Sequence, residues 1–299
     1  MVGGKSAIIM PLDILLKWLR IPHREELLSD PISYFRAFLA TKRRRPFRFI
    51  DRYGHSYFLD PAVDQLFYLV YHKGHEDEAE FAYCRNFISK GMTVFDIGAN
   101  MGLYSLILAK CTGETGSLHA FEPYDNIYKR LVNNLLDNGY HWAKANQLAL
   151  SDKLGSLTLH IYETYTGWNT IGARKIILGG REIRPDRAEN VATTTLDEYC
   201  AKHGVDKIDL AKIDVEGAEF LVLKGARGLL AKKKIGAILM EISTHTLGAA
   251  GSSCREVFEF MSGFGYRFHR IRSNGTAEET PVSEEEYSRV NLVALLAKA

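Results

Sequence analysis

A mostly parallel sheet flanked by helices, an α/β fold, is predicted by three observations. From Thr93 onward, short β-rich runs alternate with runs of helical periodicity. One of those runs leads directly into a glycine turn that opens a helix, and the last two have no long helix between them. Length and composition agree: 299 residues, 46% hydrophobic and 25% charged, suffice for a sizeable core and are too apolar for a disordered chain. At roughly 150 residues per domain, the length alone suggests about two domains.

Residues 1–45 read as helical and close on Lys42-Arg43-Arg44-Arg45, a basic run before Pro46 that reads as a solvated linker or a phosphate grip. The best apolar segment, 7–19, contains Pro11, Asp13 and Lys17, so it is no bilayer span. Residues 11–20 form an amphipathic helix packing on its own protein, with peripheral membrane contact as the alternative. Runs at 47–51 and 56–59 flank Arg52-Tyr53-Gly54-His55, a hairpin turn. A helix follows over 79–89, closed by Gly91. Strands are expected at 93–96, 117–122, 145–150, 208–214, 236–241, 266–271 and 291–296, with helices filling the gaps. Thr195 with Glu198, and Ser253 with Glu256, form capping boxes at two helix starts. Asn274-Gly275 and a polar stretch join the last two strands, which therefore pair antiparallel at one end of the sheet.

Cys84, Cys111, Cys200 and Cys254 are widely spaced, which suits reduced thiols in a cytoplasmic protein better than a zinc ribbon or a disulfide framework. With 38 basic and 36 acidic residues, the net charge of +2 provides no global field for polyanions.

The most informative segment is Val94-Phe95-Asp96-Ile97-Gly98-Ala99-Asn100-Met101-Gly102, a buried strand entering a tight turn. Gly98 and Gly102 let backbone approach a ligand, and the helix start offers free N–H groups. Glu122 ends the next strand, at a spacing that suits ribose hydroxyls. A dinucleotide fingerprint would need glycines at 98, 100 and 103, where the chain has Gly98, Asn100 and Leu103. S-adenosyl-L-methionine (SAM) carries no phosphate. Its ammonium suits a strand-end carboxylate such as Asp96, and its carboxylate suits turn N–H groups. A purely structural strand-to-helix turn is the alternative.

The stretch Asp96 to Ser105 resembles motif I of class I SAM-dependent methyltransferases, and specifically of the FkbM family. Phe121-Glu122-Pro123, Leu148-Ala149-Leu150-Ser151-Asp152-Lys153, Thr194-Thr195-Leu196-Asp197 and Ile208-Asp209-Leu210-Ala211-Lys212-Ile213-Asp214-Val215-Glu216-Gly217-Ala218-Glu219 extend the resemblance in order. It covers roughly residues 51–296. It implies a Rossmann-like class I methyltransferase fold, a seven-stranded sheet with a reversed last strand, and methyl transfer from SAM, usually to a hydroxyl, releasing S-adenosyl-L-homocysteine (SAH). By the resemblance, Asp96, Gly98, Ala99, Asn100 and Gly102 hold the methionine end with Tyr104 and Ser105 nearby; Glu122 takes the ribose; Ser151 and Asp152 border the adenine. Residues 79–299 would be the SAM-binding domain. Residues 1–78, the helical region and hairpin, would be a lid or a dimerisation element of a homo-oligomer.

Methyl transfer is an in-line displacement, in which alignment contributes about 7–11 kcal/mol and a general base about 10²–10⁴-fold. Asp214 and Glu216 lie at a strand end and point to one side. One of them orients or deprotonates the acceptor; the competing reading has Asp214 on the cofactor ammonium and Glu216 as a helix cap. Glu241 and His245 are a second candidate set. No metal is required in this reading, although Asp214, Glu216 and Glu241 together would suit Mg²⁺. His72, His75, Glu76, Asp77 and Glu78 match no closed zinc pattern. Nucleic acid is disfavoured as acceptor: position 214 begins Asp-Val-Glu-Gly rather than Asp-Pro-Pro-Tyr, and none of the eight prolines precedes a cysteine. The insertion 163–190 is read as a loop acting as a lid, with Trp168 and Asn169 contacting a small-molecule or glycan acceptor and Arg174, Lys175, Arg181, Arg184 and Arg187 available for an anionic group. A nucleic-acid or protein methyltransferase, and a catalytically silent SAM-binding module, are the alternatives.

Overall fold

Central strands that are apolar on both faces require helices on both sides, and the chain supplies them in alternation. The structure, a computed structural model, describes residues 47–51, 53–59, 77–163, 165–172, 176–178, 181–279 and 290–297. The expected N-terminal helices, the amphipathic segment 11–20, the basic run Lys42 to Arg45, the group His72, His75 and Glu76, and Arg174 and Lys175 lie outside the described residues. Among the described residues, no helix is long and apolar enough to cross a membrane.

The expected hairpin forms from β1 (Phe47–Ile50) and β2 (Ser56–Leu59), with Ile50 opposite Ser56. Gly54 takes φ +81°, and the Asp51 carboxylate accepts from the N–H groups of Tyr53 and His55, each at 2.8 Å. Next come α1 (Glu78–Phe87), β3 (Thr93–Ile97), α2 (Leu103–Thr112), β4 (Ser117–Phe121), α3 (Asp125–Asp137), β5 (Lys144–Asn146), β6 (Ala149–Leu150) and β7 (Gly155–Ile161). A second hairpin, β8 (Ile176–Leu178) with β9 (Arg181–Ile183), precedes β10 (Arg187–Thr194) and α4 (Leu196–His203). The chain then runs through β11 (Ile208–Ile213), α5 (Glu219–Lys224), α6 (Arg227–Ala231), β12 (Ile235–Ile242), α7 (Thr244–Ala249), α8 (Cys254–Gly263), β13 (Tyr266–Ile271), β14 (Ala277–Glu279) and β15 (Val290–Leu296).

The main sheet has the order β14-β13-β15-β12-β11-β3-β4-β5. Strands β12, β11, β3, β4 and β5 run parallel, and β15 is antiparallel to both β12 and β13. The reversed strand therefore inserts between its neighbours, and β14 adds an eighth strand at the edge. Adjacent strand residues feed opposite cores. Phe95, Ile97, Ile213, Ile238 and Met240 pack with α4, α5 and α8. Val94, Leu118, Leu210, Leu239 and Val293 pack with α1, α2 and α3. This is the period of two expected of strands buried on both faces.

Three expectations are corrected. The run 145–150 is not one strand: Asn146 ends β5, its amide donating to Ala120 O (3.1 Å) and accepting from the Tyr199 hydroxyl (3.1 Å), and β6 then joins β10 in a separate sheet. The amide also donates to Lys144 O (3.0 Å), and a side-chain amide that bonds local backbone in this way competes with the ladder. The insertion 163–190 is also more than a loop, since it holds the β8–β9 hairpin and the first residues of β10. The gap before it, where a helix was expected, forms β7, which pairs antiparallel with β10, and Leu159, Ile161 and Val191 bury against Tyr124 and Ile127.

The Thr195 and Ser253 half of each capping box forms, Thr195 Oγ1 accepting from Glu198 N–H (3.0 Å) and Ser253 Oγ from Glu256 N–H (3.3 Å), while the Glu256 carboxylate accepts from the Ser253 hydroxyl (2.9 Å). The first hairpin docks on α3 through asparagines. Asn138 accepts from Ser56 N–H (2.8 Å) and donates to Ser56 O (2.7 Å), standing in for a neighbouring strand.

Gly225 has an ordinary φ of −73°, yet a Cβ there would stand 2.0 Å from the Ser151 carbonyl oxygen. Gly225→Ala should therefore cost about 1–3 kcal/mol through overpacking. Gly263→Ala, where nothing lies within 4 Å, should instead be neutral or stabilise by up to about 1 kcal/mol. Urea melts of the two variants check the pair.

Candidate functional site

The carboxyl ends of β3, β4 and β11 enclose a cleft of about 210 Å³, where ligands of open α/β sheets bind. Gly98, Ala99 and Asn100 form one side, Glu122 and Pro123 a second, and Asp214, Val215 and Glu216 a third. Leu148, Leu150, Leu157, Leu159 and Ile171 supply an apolar wall, and Thr166, Gly167 and Asn169 of the insertion border it. Tyr104, Lys212 and Asp77 also line it.

Backbone contact between two loops sets the shape. Gly98 has φ +82°, and a Cβ on it would lie 1.8 Å from Asp214 O. Asp214 N–H in turn donates to Ile97 O (3.0 Å). Asn100 (φ +48°) and Glu216 (φ +51°) hold left-handed conformations without being glycine, a strain that surrounding structure must over-determine. For Glu216 the determinants are visible. Its carbonyl accepts from Thr170 Oγ1 (2.7 Å), and Glu219 Oε1 accepts from Val215 N–H and Gly217 N–H, both at 3.1 Å. The side chain of Glu219 is thus a clip on the loop that presents Glu216.

The charges are buried and ordered. Lys212 is 6% exposed, with Nζ 3.2 Å from Asp214 Oδ2 and 3.8 Å from Asp96 Oδ1, and it lies over the Tyr104 ring at 4.6 Å. Burial alone would favour neutral lysine, but Asp214 and Asp96 raise its pKa above the ordinary value, so it stays a cation. Asp96 is fully buried and accepts from Ser105 Oγ (2.6 Å), while its Oδ1 has no hydrogen-bond partner. Burial pushes its carboxyl up, against the pull of Lys212. Glu122 Oε2 accepts from Asn100 N–H (3.1 Å) and Oε1 from Tyr124 N–H (2.9 Å). Burial pushes Glu122 to about 7, against those donors, and does the same to Glu219.

Of the residues expected from sequence, Gly98, Ala99, Asn100, Tyr104, Glu122, Asn169, Asp214 and Glu216 line the cleft. Asp96 and Ser105 lie buried behind it, bonded to each other, and Gly102 caps α2 at φ +99°. Ser151 is buried with its hydroxyl on Asp152 Oδ1 (3.2 Å), outside the lining. Trp168 stacks on Tyr165 at 4.4 Å. Glu241 is buried on β12 opposite Asn291, and His245 is exposed on α7. Asp214, Glu216 and Glu241 do not converge: among the described residues, no three His, Cys, Asp or Glu side chains are placed to share a metal ion, which removes the Mg²⁺ arrangement. Sequence reasoning missed Lys212 and Glu219. A lysine two residues before Asp214, in an otherwise apolar run, was the available signal.

The profile of the Methyltransferase FkbM domain matches residues 96–268, more than half of the chain. The chain belongs to the FkbM methyltransferase family. It is 32% identical over 154 residues to methyltransferase sdnD of Sordaria araneosa, a match spanning 44% of this chain and 59% of that protein. It is 29% identical over 180 residues to the 31-O-demethyl-FK506 methyltransferase FkbM of Streptomyces tacrolimicus (50% of this chain, 68% of that one). To the 2-O-methyltransferase NoeI of Sinorhizobium fredii it is 26% identical over 180 residues (57% and 71%). The cofactor expected of the family is SAM, and the residues of the cleft are of the kind SAM needs: glycine backbone at Gly98, a carboxylate at Glu122, an apolar wall, and opposite charges at Lys212 and Asp214.

Lys212→Met should cost about 3–5 kcal/mol of stability at neutral pH, since it leaves Asp96 buried beside no cation. The loss should shrink as pH falls and Asp96 takes up a proton, and the Asp96→Asn/Lys212→Met double variant should recover most of it. Denaturant melts from pH 5 to pH 8 check this.

Proposed function

We propose that the protein is a SAM-dependent O-methyltransferase acting on a hydroxyl of a carbohydrate, glycolipid or natural-product acceptor. The observation carrying this reading is that one cleft brings together the glycine turn, Glu122 and the acidic loop Asp214 to Glu216, with the insertion at its border. Two relatives are named as O-methyltransferases, which supports oxygen as the accepting atom.

Bound SAM supplies an activated methyl group and a thioether leaving group. The protein's own contribution is alignment and proton acceptance. The N–H groups of Gly98 and Ala99 are spent on Phe121 O (3.1 and 2.9 Å), so the turn would offer the cofactor close approach rather than donors; the carboxylate of Glu122 would hold the ribose, and the wall from Leu157 to Ile171 would border the acceptor. Asp214 is engaged by Lys212 at 3.2 Å; Glu216, which lines the cleft on a loop held by Thr170 and Glu219, is the residue assigned as proton acceptor. The methyl group would come from SAM, with SAH as the leaving group, and the Glu216 carboxylate would accept the proton of the acceptor hydroxyl. Asp96 acts from below, through Lys212 and Ser105, rather than on the cofactor directly.

The test is transfer of radiolabelled methyl from SAM to extracted glycans, lipids and small metabolites, with RNA and protein fractions in parallel. Label in a hydroxyl-bearing small molecule or glycan supports the reading, and label confined to RNA or protein contradicts it. Glu216→Gln should lower turnover by about 10²–10⁴-fold while SAH affinity measured by calorimetry stays unchanged.

Glu122 carries a pH prediction. Only its ionised form accepts from both ribose hydroxyls, so SAM affinity should rise with pH through about 7. In the unliganded protein the sign reverses. The folded state keeps a proton that the unfolded chain releases near 4.5, so Glu122 lowers stability as pH climbs from about 4.5 to about 7. Glu122→Gln should flatten the first trend and reduce the second, as read by calorimetry and by melts across that range.

A further inference from the structure

We propose that Lys212 and Asp214 together read the amino-acid end of the cofactor, Lys212 meeting its carboxylate and Asp214 its ammonium; this rests on the SAM reading of the cleft. The argument begins with sign. SAM presents a cationic sulfonium and a cationic ammonium, neither of which a lysine attracts; Asp214 and Asp96 already offset the Lys212 charge, and what Lys212 still offers the pocket is donors for an anion. The α-carboxylate is the single anion SAM carries. Lys212 lines the cleft and is buried, so solvent does little to screen it.

Geometry points the same way. Lys212 and Asp214 lie two residues apart at the end of β11, which places both side chains on one side, with Nζ and Oδ2 3.2 Å apart. An ammonium and a carboxylate borne on one carbon are a close-spaced pair of opposite sign, and the protein offers the complementary pair at similar spacing. The lysine also has donors to spare. Among the described residues its hydrogen bond goes to Asp214, and Asp96 Oδ1 sits at 3.8 Å, beyond hydrogen-bond reach and without another partner. Two carboxylates thus hold Lys212 charged without saturating its three N–H groups. The Tyr104 ring, 4.6 Å from Nζ, restrains the lysine on a further side.

The proposal makes the site selective for nucleosides that keep the carboxylate. Calorimetry on the full chain should compare SAM with decarboxylated SAM, which retains sulfonium and ammonium, and SAH with 5′-methylthioadenosine, which lacks the whole amino-acid end. The wild type should favour SAM over decarboxylated SAM by about 10–100-fold, the value of a charge-assisted hydrogen bond. In the Asp96→Asn/Lys212→Met double variant, SAH should fall by a similar factor while 5′-methylthioadenosine changes by less than about threefold, its retained binding showing an intact pocket. Equal wild-type affinity for SAM and its decarboxylated form overturns the proposal, with or without a folded variant, as does an equal loss of both nucleosides in the variant. Wild-type protein that binds none of the four compounds overturns the SAM reading itself.

Discussion

Lys212 stands opposite Asp96 in the register of β11 and β3, and the organisation of the cleft follows from placing that pair inside the sheet. A buried cation has to be matched, and here two carboxylates match it: Asp96 at the centre of the sheet and Asp214 at the strand end. The second oxygen of Asp96 takes the Ser105 hydroxyl, which pins the first turn of α2 to β3. The glycine turn between them, Gly98 to Gly102, is therefore held at both ends. Asp214 in turn fixes the far side, because its backbone meets Gly98 so closely that only glycine fits.

The two loops on either side of the cleft share a device. Each contains a non-glycine residue at positive φ, Asn100 in one and Glu216 in the other, and each is clipped by a buried glutamate accepting backbone N–H groups. Glu122 clips Asn100, and Glu219 clips the residues flanking Glu216. Both clips have carboxyls raised to about 7 by burial, so the shape of the cleft is coupled to proton uptake near neutrality. The insertion belongs to the same unit. Thr170 bonds the Glu216 carbonyl, and β7 and β10 carry Leu159 and Val191 onto Tyr124 and Ile127 beside the end of β4.

Much of this was legible in the sequence where one strand carries one role. The alternation of β-rich and helical runs predicts the parallel sheet, and the motif around Gly98 and Glu122 predicts the cleft. Legibility failed where side chains act against their local pattern. Asn146 ends the run 145–150 as a strand by bonding Ala120 and Tyr199, partners distant in sequence that no periodicity signals. The alternation of Leu157, Leu159 and Ile161 was present but lay in a gap between expected strands that a helix was expected to fill. Lys212 was hidden for a different reason: a lysine within a strand reads as solvated, and its partner Asp96 is more than 100 residues away in sequence. Glu241 and His245 stood at plausible positions, but burial on β12 for one and exposure on α7 for the other separate them from the lining. The chain spans 59% of the Sordaria relative it matches, and Thr166, Gly167, Asn169 and Ile171 of the insertion border the cleft.

Amide hydrogen exchange with and without SAH tests most directly the claim that the glycine turn and the acidic loop act as one cofactor cradle. Peptides covering 98–102 and 212–217 should both gain protection on adding SAH, while those covering β13 and β14, at the opposite edge of the sheet, should stay unchanged. Protection confined to one of the two loops, or appearing in neither, would contradict the account.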